Sequence, residues 1–114
     1  MNFDEVRRIA LALPGVEEGT SYGTPAFRVR GKLFCRLRED GESLVLTCNV
    51  FEREYLVKDL PDVFYVTDHY RGHPAVLARI SAVTEPLLRE RMEAAWRMAA
   101  PKKLVAGLDA RGAE

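Results

Sequence analysis

Between Ser21 and Arg38 the chain carries Arg28, Arg30, Lys32, Arg36 and Arg38 with no acid among them, and sets the rings of Tyr22 and Phe34 in the same stretch. Cationic side chains contact phosphates and release counterions, while exposed rings stack on bases or wedge between them. That mixture points to nucleic acid. A two-stranded ribbon is narrow enough for the major groove, and Arg28, Arg30, Arg36 and Arg38 share strand parity. If the loop between the strands holds an odd number of residues, all four arginines lie opposite Phe27, Val29, Leu33, Cys35 and Leu37. Lys32 would then stand at the tip, and Phe34 would join the basic face. Lys102 and Lys103 extend the positive surface near the end of the chain.

The competing reading of the same residues is a wet sheet face, which arginine solvates well while its stem covers apolar surface. Lysine and arginine total 17, as do aspartate and glutamate, so the net charge is zero. A molecule neutral overall is not a nonspecific nucleic-acid binder over its whole surface. The charge is segregated, however: residues 39 to 70 hold eight acids against Arg53 and Lys58. Glu39, Asp40 and Glu42 follow the basic run directly and are placed to neutralise it.

Two further constellations merit weight. Tyr22, Thr24, Lys32 and Trp96 could border a cleft between sheet and terminal helix, with Lys102 at its mouth, which would suit a small-molecule-binding or enzymatic domain. Leu104, Val105 and Leu108 could form an exposed apolar patch for a partner or a second copy, the mark of a protein-interaction module. Asp68, His69 and His73 imitate a metal cluster, but Gly72 and Pro74 oppose the helical spacing of an i, i+4 ligand pair, so no metal is expected. No G-x-S-x-G, H-E-x-x-H or Walker sequence occurs, and no nucleophile and base can be paired by spacing. Neither a catalytic residue nor a cofactor is assigned.

These residues need a scaffold. At 114 residues, 47% hydrophobic and 30% charged, the chain suits one folded domain. Asn2 and Glu5 form a capping pair for a helix over about Phe3 to Leu13, ended by Pro14-Gly15. Glu17 to Gly23 reads as a polar connection. Period-two alternation then gives strands on either side of Gly31, and Asp40-Gly41 leads into a third strand at Ser43 to Cys48. Asn49 caps a helix to about Lys58, with Phe51, Tyr55 and Leu56 on its apolar face and Glu52, Arg53 and Glu54 in solvent.

Val63 to Thr67 and Ala75 to Ile80 read as strands separated by a loop. Thr84 caps a helix with Pro86 in its first turn, and Leu88, Met92, Ala95, Trp96 and Ala99 form its buried stripe. Residues 102 to 108 add one further turn. The expected fold is a two-layer α+β domain over residues 1–108, with a five-stranded antiparallel sheet, helices on one face, the order α-β-β-β-α-β-β-α and a frayed tail at 109–114. No apolar run approaches the roughly 20 residues that cross a bilayer, and no signal peptide is visible, so a cytoplasmic monomer with Cys35 and Cys48 as buried free thiols is expected.

The stretch Ala12-Leu13-Pro14-Gly15-Val16-Glu17-Glu18, then Tyr22-Gly23-Thr24-Pro25-Ala26-Phe27-Arg28-Val29 and Gly31-Lys32-Leu33-Phe34, resembles the opening of the MmcQ/YjbR family. Ala95-Trp96-Arg97 with Ala100-Pro101-Lys102 resembles its close. The resemblance implies a compact two-layer α+β fold similar to type III secretion chaperones, and binding of double-stranded DNA by a double wing of strand hairpins. It implies no catalytic residue and no cofactor. On that likeness Arg71 and His73 fall at the tip of a second wing. Tyr22 stands where many relatives carry Trp or His, which keeps a ring for stacking.

Overall fold

The computed structural model describes residues 1–112. Helix α1, Phe3–Leu11, begins at the expected capping box: the Asn2 side chain accepts from the Glu5 amide at 2.9 Å, and the Glu5 carboxylate accepts from the Asn2 amide. Val6, Ile9 and Ala10 recur at helical spacing and are its buried stripe. Phe3 stacks on Phe27, which fixes α1 on that side of the sheet.

The sheet has six antiparallel strands, β1 Val16–Ser21, β2 Thr24–Val29, β3 Lys32–Leu37, β4 Ser43–Thr47, β5 Phe64–Tyr65 and β6 Ala75–Arg79, in the order β1-β2-β3-β4-β6-β5. The expectation of five strands is corrected by β1. Its residues, Val-Glu-Glu-Gly-Thr-Ser, show no apolar alternation, because it is an edge strand exposed along most of its length. What makes it a strand is its neighbour. Tyr22 and Gly23 both take positive φ, the conformation of a two-residue hairpin turn, and pair Ser21 with Thr24 through to Val16 with Val29.

Helix α2, Val50–Asp59, is capped by the Asn49 side chain as anticipated. Thr67 is followed by a single helical turn, α3 Asp68–Arg71, where a loop was expected. Helix α4, Glu85–Ala99, buries Leu88, Met92, Ala95 and Trp96, and α5 runs from Lys102 to Gly112, well beyond one turn. Trp96 is fully buried and donates its indole N–H to the Pro14 carbonyl at 2.9 Å. A buried indole needs such an acceptor. Leu104, Val105 and Leu108 pack half-buried against the core, so they form no exposed patch.

Two faces of the sheet follow from the register. Phe27, Cys35, Leu46 and Val76 align across the strands as buried residues on the side of α1. Ala26, Arg36, Val45 and Leu77 align on the opposite side. Among the described residues, no helix is long and apolar enough to cross a membrane.

Candidate functional site

The turn between β2 and β3 has two residues, Arg30 at φ +49 and Gly31 at φ +80, and pairs Val29 with Lys32. The loop is therefore not odd in length, and Arg28 and Arg36 share a face only because of the bulge that follows. The register then slips by one residue, from Arg28 opposite Leu33 to Phe27 opposite Cys35, leaving Phe34 as the extra residue of a bulge. Both Phe34 and Cys35 are buried as a result, and Leu33 is exposed. Phe34 is thus not a surface wedge.

Because the hairpins β1-β2 and β2-β3 share β2, their turns lie at opposite ends of it. Arg30 and Lys32 stand at one end, whereas Arg36 and Arg38 run towards the other, about 13 Å and about 20 Å from Lys32 along the strand at roughly 3.3 Å per residue. The basic stretch is divided into two sites.

At the first end, Arg30 and Lys32 are exposed and neither forms an ion pair within 4.0 Å among the described residues. Arg28, half-buried, donates to the Thr20 carbonyl at 3.1 Å and lies across from Glu17. Gly15 takes φ +71 in a crowded corner: a Cβ there would meet Leu104, Val29 and the Arg30 guanidinium. That corner brings the start of α5 against the hairpin tip, with Lys102 and Lys103 exposed beside Leu104.

At the other end a pocket of about 540 Å³ opens on the sheet face away from α1. Arg36 forms its wall and is only 5% exposed. Its guanidinium donates to Glu39 at 3.2 Å, to the Leu37 carbonyl at 3.3 Å and to the Tyr70 hydroxyl. The Tyr22 ring lies 5.2 Å from its carbon, within cation–π range. Glu39 is held below the usual carboxylate range, first by its own backbone amide and then by Arg36. Arg38 sits alongside, bonded to Tyr65 at 3.2 Å and to Asp40 at 3.4 Å, and the Tyr65 hydrogen bond raises its basicity. The acids after the basic run do neutralise this half of it.

The far rim is made by α3 and the turn after it. The His69 ring meets Tyr70 edge-on at 4.8 Å and lies 5.9 Å from His73. No group of three or more potential metal ligands converges among the described residues. Arg71 points outward, 3.6 Å from Asp68. The rim is positioned by Arg53, a residue that reading α2 by periodicity placed in solvent. It is 6% exposed and donates to the carbonyls of Tyr70, Arg71, His73 and Ala75. Phe51 and Tyr55, expected on the buried face, are outside instead. A charged side chain whose partners are backbone carbonyls leaves no mark in sequence spacing.

The cleft expected from Tyr22, Thr24, Lys32 and Trp96 is not assembled. Trp96 is sealed against Pro14, Lys32 and Tyr22 occupy opposite ends of the hairpins, and Thr24 uses its hydroxyl on the Ser21 carbonyl. Only Tyr22 reaches the pocket. Cys35 and Cys48 are free and buried.

A family model described as YjbR matches residues 11–98. Uncharacterised proteins of Mycobacterium bovis and of two Mycobacterium tuberculosis strains are 44% identical over 50 residues, which is 44% of this chain and 39% of each relative. The chain is also similar to the crystal structure of a Deinococcus radiodurans protein described as a DUF419 domain. That match has a TM-score of 0.70 at 19% identity, and covers 83% of this chain and 75% of the other. At that identity the likeness is one of fold.

Proposed function

The chain belongs to the YjbR family, and from that premise we propose that it binds double-stranded DNA through the end of the molecule formed by the Arg30–Lys32 turn and the start of α5. The observation that carries this reading is the exposure of Arg30 and Lys32, without a carboxylate partner among the described residues, at the tip of a narrow hairpin. Lys102 and Lys103 broaden the patch, and Arg28 supports it from the half-buried flank. The α3 turn, with Arg71 outward, serves as the second wing.

Four or five cations contact phosphates and read little sequence, because no side chain at this tip offers bidentate base recognition in the way an ordered, buttressed arginine does. The affinity is that of nonspecific binding, Kd about 10⁻⁴ to 10⁻⁶ M, with a log–log salt slope of roughly −3.5 to −4.5 at about −0.9 per phosphate. The setting is cytoplasmic, in keeping with two cysteines that stay unpaired. A gel-shift titration of a random duplex at several salt concentrations tests the reading. Arg30→Glu with Lys32→Glu should abolish the shift and leave the circular dichroism spectrum unchanged. Binding that is insensitive to salt, or unaltered in the double variant, would refute it.

A further inference from the structure

We propose that the pocket walled by Arg36, Tyr22 and Tyr70 is a binding site for a small aromatic carboxylate. Its volume of about 540 Å³ lies within the range that holds small ligands, roughly 300 to 1,000 Å³. Phe34, Val45, Pro74 and Ala75 give it an apolar lining, and Tyr22, Tyr70 and His69 set rings around the edge. Such a lining accepts a flat hydrocarbon body.

The charge requirement comes from Arg36. A guanidinium this buried keeps its charge only with partners, and its one carboxylate partner among the described residues is Glu39, an exposed residue held through a single nitrogen. No hydrogen bond of its Nε to another described residue is present. A carboxylate entering the pocket would take the bidentate geometry that Glu39 does not use. Glu39 also sets the ligand's charge. Arg36 carries one positive charge, part-matched by Glu39, so a monoanion suits it better than a phosphate dianion, which would add repulsion from Glu39 on the pocket wall.

Tyr22 supplies an independent indication. It is 81% exposed and sits at φ +54, a left-handed conformation that disfavours a bulky residue. Glycine or asparagine would make the same turn with less strain. What tyrosine adds is a ring laid on Arg36 at the mouth of the pocket. Strain retained beside a concave, charged site is characteristic of binding geometry.

The test is a two-dimensional NMR titration of the full chain with naphthoate, with naphthamide as its neutral isostere and with inorganic phosphate. Naphthoate should bind saturably and shift the amides of Tyr22, Arg36, Tyr70 and His73. Naphthamide should bind at least about tenfold more weakly, since it lacks the charge-assisted hydrogen bonds, and phosphate should leave those amides unmoved. Arg36→Gln should remove the selectivity for the acid. Because that change affects a buried group, Tyr22→Gly serves as the second variant: it suits the positive φ and should weaken naphthoate several-fold while the rest of the spectrum is kept. Equal affinity for acid and amide, shifts centred elsewhere, no saturable binding of naphthoate, a matching phosphate response, or an unchanged Tyr22→Gly affinity would each overturn the proposal. Arg30→Glu with Lys32→Glu should leave naphthoate binding intact, which separates this site from the DNA reading.

Discussion

The guanidinium of Arg53, on α2, donates a 2.8 Å hydrogen bond to the backbone carbonyl of His73. The same side chain reaches the carbonyls of Tyr70, Arg71 and Ala75, so one residue gathers the turn that rims the pocket. Arg53→Met keeps much of the apolar stem and removes every donor. It should lower the unfolding free energy by about 2–4 kcal/mol, as expected when buried carbonyls lose their partner. Urea denaturation checks the magnitude, and amide exchange at Tyr70 to His73 should accelerate more than exchange in α1. A loss below about 0.5 kcal/mol, the scale of an ordinary surface change, would show that the turn holds itself.

Gly31 gives a cleaner measurement of backbone strain. It takes φ +80, and a Cβ placed there would meet nothing within 4 Å. Gly31→Ala therefore adds no clash, and its effect is the left-handed penalty of an L-residue, about 1 kcal/mol. Thermal unfolding should register that loss. Naphthoate affinity at the far end of the hairpin should not change.

Cys35 makes stability depend on alkali. Its thiol is fully buried, and burial pushes its pKa far above the ordinary 9.0. The unfolded chain therefore ionises first. The stabilisation is complete below that ordinary value and is lost as pH rises beyond it, by up to about 1.4 kcal/mol per pH unit. Urea midpoints between roughly pH 9 and 10.5, the window opened by an unfolded thiol, should fall more steeply in the wild type than in Cys35→Ala. Parallel slopes would contradict it. The same burial should leave Cys35 unreactive towards a thiol reagent until the protein unfolds.

Much of the scaffold is legible because its signals are local. The Asn2–Glu5 box, the Asn49 and Thr84 caps and the stripe from Leu88 to Trp96 each state their own structure within a few residues. Strand β1 is not legible, since its pairing is imposed by β2 and by a turn in which Tyr22 occupies a conformation tyrosine disfavours. The site was misjudged for a related reason. Parity along a strand is reliable only between irregularities: the two-residue turn at Arg30-Gly31 and the bulge at Phe34 cancel for Arg28 and Arg36, which share a face, but between them they put Leu33 on that face and bury Phe34. Arg36 and Arg53, alike in sequence to the exposed Arg30, are buried by partners that lie far along the chain.

The sharing of β2 between two hairpins has an electrostatic consequence. Lys32 and Arg38 stand about 20 Å apart along the hairpin, whereas the Debye length at physiological ionic strength is about 8 Å. Solution ions therefore insulate one end from the other. Charge introduced at Lys32 is felt at Arg38 only in dilute buffer, and in physiological salt any communication between those two positions has to travel through the strand itself.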